Sequence, residues 1–160
     1  MSARLKDQVA EFRPMLDADI AEIAAIEQSA YTHPWTANLF EDCLRAGYNC
    51  RVLQVHGAII AYGIIAVGGG ECHILNLCVK PDMQNNGYGM AILEHLLDLA
   101  RRHHADTVFL EVRPSNRAAI RLYAKAGFNE VGMRSNYYPA IVGREDAIIL
   151  ARSLSLCRIL

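Results

Sequence analysis

A chain of 160 residues, 52% of them hydrophobic, has the length of one ordinary domain and ample apolar material for a single core. Sixteen Lys and Arg against 17 Asp and Glu give a formal net charge of -1, which excludes the overall field of a bulk nucleic-acid or anionic-lipid binder. The five cysteines (Cys43, Cys50, Cys72, Cys78, Cys157) are odd in number and show no C-x-x-C spacing, which argues against a disulfide framework and a zinc site.

The N-terminal stretch MSARLKDQVAEF carries charges but no apolar h-region. The longest apolar run, residues 58–67, is too short to span a bilayer, so a soluble, unsecreted, cytoplasmic protein is expected. EFRPM reads as a brief edge strand. In DADIAEIAAIEQSAY, Ile20, Ile23, Ala24 and Ile26 recur at helical spacing behind Asp17 or Asp19 as cap. THPWTANLFEDCLRAG offers Thr36 as a second N-cap, an apolar stripe through Leu39, Phe40, Cys43 and Leu44, and Gly47 as a stop.

CRVLQV and AIIAYGIIAV flank His56-Gly57, a two-residue hairpin signal, and a Gly-Gly-Gly run at residues 68–70 precedes ECHILNLCV, which predicts three antiparallel strands. The longest helix is expected over residues 87–104, burying Ile92, Leu93, Leu96, Leu97 and Ala100, with His103 and His104 in its last turn. TVFLEVR predicts a fifth strand, and SNRAAIRLYAKAGF a helix capped by Asn116 and ended at Gly127. NEVGMRSNYYP reads as a sixth strand plus a loop, and DAIILARSL as a closing strand. Strands early in the chain and strand-helix alternation later predict a mixed α/β sheet with helices on its faces, and there are no repeats or linkers.

Within LCVKPDMQNNGYGMAI an apolar strand passes through a proline and two glycines into a helix. A helix N-terminus leaves its first N–H groups without intrahelical partners and carries partial positive charge, which suits an anion. Asn86, Gly87, Tyr88, Gly89 and Met90 are placed to direct successive amides at a pyrophosphate. A Walker loop is excluded because no Lys or hydroxyl residue follows Gly89, and the G-x-G-x-x-G pattern is absent. The alternative is that the two glycines only make a tight strand-to-helix turn.

The Q-x-x-G-x-G pattern at Gln84, Gly87 and Gly89, following NLCVKPD, resembles the pyrophosphate loop of the GCN5-related N-acetyltransferases. With it, LEVR.SN..AI.LY...GF, NYYP and GREDAII resemble the RimI-type subfamily, whose members acetylate the N-terminal alanine of a small-subunit ribosomal protein. The resemblance runs over residues 12–150 of one domain spanning 1–160. The terminal residues 151–160 extend past the usual end and receive no role.

The resemblance implies a mostly antiparallel sheet whose fourth and fifth strands splay apart, with the arm of acetyl-CoA between them. It implies backbone contacts to this cosubstrate from Leu77, Cys78 and Val79, a phosphate loop through Gln84, Asn85, Asn86, Gly87, Tyr88, Gly89 and Met90, and a further contribution from Asn116. The family often places a basic residue beside the loop glycines, whereas Asn85, Asn86 and Met90 are uncharged, so the grip here depends more on backbone dipoles.

Acyl transfer to an N-terminal amine requires the neutral amine, whose conjugate acid has a pKa of about 7.7 to 8. A nearby carboxylate can take that proton. Strand parity puts Val108, Leu110 and Val112 on one face and Phe109, Glu111 and Arg113 on the other. Glu111 either pairs with Arg113 or another arginine, or serves as the proton acceptor that the resemblance implies. Departing thiolate needs an acid, which the resemblance assigns to Tyr123; on pattern alone a tyrosine there is a packing residue. Asn116 and Tyr123 are seven residues apart, on one helical face.

A strand amide of Cys78 or Val79 is the candidate for polarising the thioester carbonyl. The Cys78 thiol has no basic neighbour and is expected to pack rather than react. Trp35, Tyr137 and Tyr138 are candidate walls of the acceptor groove, or else core residues. Arg144, Glu145 and Asp146 either contact the peptide or form loop salt bridges. The six histidines are scattered, and surface or helix-dipole positions are expected for them rather than a metal site. The expected partner is a ribosomal-protein N-terminal peptide, without direct nucleic-acid or membrane contact, to a monomer for which weak self-association stays open. Rival functions are a lysine-directed or broader N-terminal acetyltransferase of the same fold, and a non-catalytic coenzyme-A-binding module.

Overall fold

The structure, a computed structural model, describes residues 10–155; the expectation of a C-terminal extension and the position of Cys157 fall largely outside them. In chain order the elements are β1 (Ala10–Pro14), α1 (Ile20–Ala30), α2 (Ala37–Arg45), β2 (Asn49–Val55), β3 (Ala58–Gly68), β4 (Glu71–Val79), α3 (Tyr88–Arg102), β5 (Thr107–Val112), α4 (Arg117–Lys125), β6 (Asn129–Pro139) and β7 (Arg144–Ser153). Among the described residues they form one seven-stranded sheet in the order β1-β2-β3-β4-β5-β7-β6. The sheet is mixed: β1 with β2, β2 with β3, β5 with β7 and β6 with β7 are antiparallel, and β4 with β5 is parallel.

The described residues divide into two compact units, 10–65 with 76–96, and 66–75 with 97–155. In the first unit the strands are covered on both faces. Cys50, Val52, Tyr62 and Ile64 join Ile20, Ile23 and Ile26 of α1 and Phe40 and Cys43 of α2 in one apolar cluster. Leu53, Val55, Ile60 and Ala61 join Tyr88 and Ile92 of α3 in another. The register slips between Leu53 and Gln54, whose partners are Ala61 and Ile59, so Ile60 is the extra residue of a bulge. Its carbonyl accepts the Lys80 amide at 2.8 Å and so anchors the turn that leaves β4. Opposite α3, Gly63 permits close approach: a Cβ there would meet Leu96 Cδ1 at 2.5 Å.

The turns follow the sequence chemistry. His56 (φ 50°) and Gly57 (φ 81°) make the β2-β3 hairpin, and Gly69 (φ 59°) and Gly70 (φ 80°) the next. The Thr36 hydroxyl accepts the Leu39 amide, capping α2.

In the second unit β5 alternates as expected, with Val108, Leu110 and Val112 buried and Phe109 and Glu111 half-buried. The pairing of β4 with β5 runs only from Glu71↔Thr107 to Ile74↔Leu110.

Four expectations are corrected. Residues 129–139 are one strand rather than a strand plus a loop. A register shift between Arg134 and Tyr138 absorbs the irregular part, with Asn136 at φ 52°. The long helix begins at Tyr88, one residue later than expected, because Gly87 at φ 87° lies outside helical backbone. His103 and His104 follow the helix instead of lying in its last turn, and His104 adopts φ 65°. His95 and His73 are half-buried ring stackers rather than surface residues, His95 on Phe12 at 4.2 Å and His73 on Phe109 at 5.4 Å.

Candidate active site

In the first unit, the last residues of β4 alternate between the two clusters. Leu77 and Val79 pack with Tyr88, whereas Cys78 packs with the α1-α2 cluster. Burial pushes the Cys78 thiol up to about 11, which holds it in the unreactive protonated form. Beyond β4, a short 3-10 turn (Pro81–Met83) leads through Asn85 (φ 62°) and Gly87 (φ 87°) into α3. The Gly87 carbonyl accepts the Ala91 amide at 3.1 Å, so the first turn of α3 opens at Tyr88, Gly89 and Met90.

The loop's polar side chains fold back on it. Gln84 Nε2 donates to the Val79 carbonyl at 3.2 Å, and Asn86 Nδ2 donates to the Met83 and Gln84 carbonyls at 3.2 and 2.9 Å. Gln84 and Asn86 therefore shape the loop through their side chains, and Asn85 does so through its left-handed backbone. The Tyr88 ring is 2% exposed and belongs to the core.

Trp35 lies in the α1-α2 loop, half-buried, with its ring 5.4 Å from Phe40. Its amide donates to Glu27 Oε2 at 3.0 Å. Glu27 is not among the residues that the sequence singled out, although with Ile20 and Ile23 it falls at the i, i+3, i+7 positions of the buried stripe of α1.

In the second unit, β7 runs between β5 and β6, and Ile149 pairs with both Glu111 and Gly132. Arg134, two residues on from Gly132, thus shares the face of Glu111, and its Nε reaches Glu111 Oε1 at 3.4 Å. The ion pair foreseen for Glu111 is made with Arg134, not Arg113. It is loose: the arginine side chain is 55% exposed and the glutamate 22%.

Arg113 instead lies 4.4 Å above the Tyr138 ring and donates to the Pro139 carbonyl at 2.6 Å and to Glu145 at 3.3 Å. Glu145 also accepts the Ser115 amide and hydroxyl, and these bonds, the hydroxyl's first, hold its carboxyl below the usual range. Arg144 donates to the Asn136 and Tyr137 carbonyls, and Asp146 accepts the Asn136 amide. Arg144 and Asp146 therefore serve the β6-β7 hairpin, and Glu145 ties it to Arg113 and Ser115.

Asn116 caps α4, its Oδ1 accepting the Ala119 amide at 3.2 Å. The buried Tyr123 ring packs edge-on against Phe128 at 5.5 Å. Burial foremost, and then Tyr138, pushes its phenol well above the ordinary value, so it keeps its proton. Tyr137 and Tyr138 are packed edge to face at 4.9 Å, with Arg134 5.4 Å from the Tyr137 ring. Burial pushes the Tyr138 phenol up to about 12. Among the described residues no group of three His, Cys, Asp or Glu side chains is arranged to hold a metal, and no helix is long and apolar enough to cross a membrane.

The Acetyltransferase (GNAT) family matches residues 18–128. The [ribosomal protein bS18]-alanine N-acetyltransferase of Escherichia coli K12 is 42% identical over 138 residues, covering 86% of this chain and 93% of that protein. The crystal structure of the Escherichia coli ribosomal-protein-S18-alanine N-acetyltransferase superposes with a TM-score of 0.86 at 39% identity, over 92% of this chain and 96% of that one. Ard1 from Thermoplasma volcanium superposes with a TM-score of 0.81 at 28% identity, over 90% and 97%. The Salmonella typhimurium protein yncA, solved with its cofactor acetyl-CoA, shares the fold alone at 21% identity and a TM-score of 0.76, over 92% and 95%. With a family match over residues 18–128 and such identity along almost the whole of a relative, the chain belongs to the GNAT acetyltransferase family.

Proposed function

We propose that this chain is a cytoplasmic N-alpha-acetyltransferase that moves the acetyl group of acetyl-CoA to the N-terminal alanine of the small-subunit ribosomal protein bS18. The observation that carries the reading is the 42% identity to the Escherichia coli enzyme of that name, spread over 93% of its length.

The residues present suit the cosubstrate. The loop from Gln84 to Gly87 is held in shape by its own side chains, and it opens a fifteen-residue helix whose N-terminal amides and dipole favour a diphosphate. In this reading Leu77, Cys78 and Val79 contribute backbone groups, and Asn116 fixes the start of the helix that carries Tyr123. Acetyl-CoA supplies a thioester, an acyl group already activated toward an amine.

Glu111 then acts on the acceptor. An exposed arginine pair contributes little, about 0–1 kcal/mol, so an incoming ammonium can displace Arg134 from the carboxylate at small cost. Glu111 accepts the ammonium proton, directly or through water, and frees the amine. As the amine nitrogen bonds to the acyl carbon and the C–S bond breaks, Tyr123, buried and protonated, gives its proton to the departing sulfur, and the nitrogen's remaining surplus proton restores the phenol. Trp35, Tyr137 and Tyr138 are assigned to the acceptor peptide.

The test is mass spectrometry of N-terminal peptides from cells with and without the chain. The proposal expects the alanine terminus of bS18 to lose its acetyl group in the deletion and regain it on complementation. An unchanged bS18 terminus, or loss confined to lysine side chains, overturns it.

A further inference from the structure

Among the described residues Glu27 is the buried charged side chain, at 2% exposure, and the chemistry proposed above makes no use of it. Its surroundings are three donors. Tyr62 Oη of β3 donates to Oε1 at 2.7 Å, Asn76 Nδ2 of β4 donates to the same oxygen at 3.1 Å, and the Trp35 amide donates to Oε2 at 3.0 Å. A carboxylate that only accepts satisfies all three at once.

These bonds tie the last turns of α1 to two strands and to the loop that follows α1. The loop is fastened a second time, because the Tyr31 hydroxyl donates to the Leu77 carbonyl at 2.8 Å. Consecutive residues of β4, Asn76 and Leu77, therefore hold the loop, one through Glu27 and one through Tyr31. Phe40 completes the support: its ring lies 5.4 Å from Trp35 and 5.7 Å from Tyr62. The far end of the loop is closed by the Thr36 cap of α2.

We infer that Glu27 is a positioning residue for the acceptor, setting the loop of residues 31–36 in register with β4 so that Trp35 is held ready for the peptide. The inference rests on the proposed function for its assignment of that loop to the acceptor. A buried carboxylate surrounded by donors suits this task because a bond to a backbone amide fixes main chain rather than a rotatable side chain. The three bonds to Glu27 involve neither the amides that open α3 nor the backbone of Leu77, Cys78 and Val79, so in Glu27→Gln acceptor and cosubstrate effects are expected to separate.

Glu27→Gln isolates the claim. The substituted side chain has one oxygen, which keeps two bonds when turned toward Tyr62 and Asn76 and one when turned toward Trp35, so the Trp35 amide is the donor expected to lose its acceptor. Tyr31→Phe removes the second fastening by deleting one hydroxyl. Hydrogen exchange at the Trp35 amide, fluorescence of Trp35 as the single tryptophan of the chain, and separate KM values for an alanine-starting bS18 peptide and for acetyl-CoA are then measured. In Glu27→Gln, Trp35 amide exchange is expected to accelerate at least about tenfold and its emission to shift to the red. The peptide KM should rise about tenfold, with the acetyl-CoA KM within about twofold of wild type. Tyr31→Phe should change the peptide KM in the same direction and by less.

Unaltered Trp35 exchange in Glu27→Gln, or peptide and acetyl-CoA KM values that rise by the same factor, overturns the inference. Wild-type protein that transfers nothing to the peptide overturns the functional reading instead, while the exchange and fluorescence arms still decide whether Glu27 holds the loop.

Discussion

Glu27 and Glu111 both interrupt apolar patterns, one on a helix stripe and one on a strand, yet their surroundings differ in kind. Glu27 is sealed from solvent and meets two side-chain donors and one main-chain amide. Glu111 is partly open and meets one cation on a long, exposed side chain. The contrast teaches how to sort carboxylates in a site: neutral donors fixed by the fold immobilise a carboxylate, while a solvated arginine can be exchanged for another cation.

The contrast is sharpest in paired variants. Glu111→Gln should lower kcat by roughly 10³-fold, within the range for general acid-base groups, and flatten the pH-rate profile, while leaving the urea midpoint almost unmoved because only a loose pair to a solvated arginine is lost. Glu27→Leu should do the reverse, destabilising the fold by about 3 kcal/mol in urea titration, since three buried donors lose their acceptor. A stable Glu27→Leu protein together with an unfolded Glu111→Gln protein would invert the assignment. Tyr123→Phe should spare acetyl-CoA binding and slow transfer by roughly 10²-fold in single-turnover measurements; a normal rate removes Tyr123 as the acid.

Much of this was legible in the chain, for identifiable reasons. The His56-Gly57 hairpin, the Thr36 and Asn116 caps and the alternation of Val108, Leu110 and Val112 are local signals, and the structure displays each. What escaped was set by pairing at a distance. The partner of Glu111 proved to be Arg134, 23 positions away, because β7 intervenes between β5 and β6 and aligns Gly132 with Glu111 through Ile149. The bulge at Ile60 left no local mark, since one more apolar residue in AIIAYGIIAV changes nothing visible in the pattern. NEVGMRSNYYP read as a strand plus a loop because Asn and Pro favour turns, whereas the bonds that Arg144 donates to the Asn136 carbonyl and Asp146 accepts from the Asn136 amide hold its latter part in a strand.

Smaller effects refine the contrast between backbone and side-chain recognition. Gly87→Ala places a side chain at φ 87°, a conformation costing about 1–2 kcal/mol. It should raise the acetyl-CoA KM about tenfold with little change in the peptide KM, the opposite split from Glu27→Gln.

Smallest is the acid response of Asp19. The hydrogen bond from Arg13, at 2.8 Å, holds its carboxyl below the usual range. The stability it contributes is therefore present above the unfolded value of about 3.9 and is lost as pH falls through the lower folded value. Asp19→Asn should reduce the slope of unfolding free energy against pH below about pH 4 and leave the slope near neutrality unchanged.

The most direct test of the acetyltransferase account is release of free thiol from acetyl-CoA on addition of a peptide carrying the N-terminal sequence of bS18, run beside the same peptide with its N-terminus blocked. The account predicts release with the free terminus, none with the blocked one, and a single acetyl group on the alanine nitrogen by mass spectrometry. Equal release from both peptides, or none from either with folded protein, would contradict it.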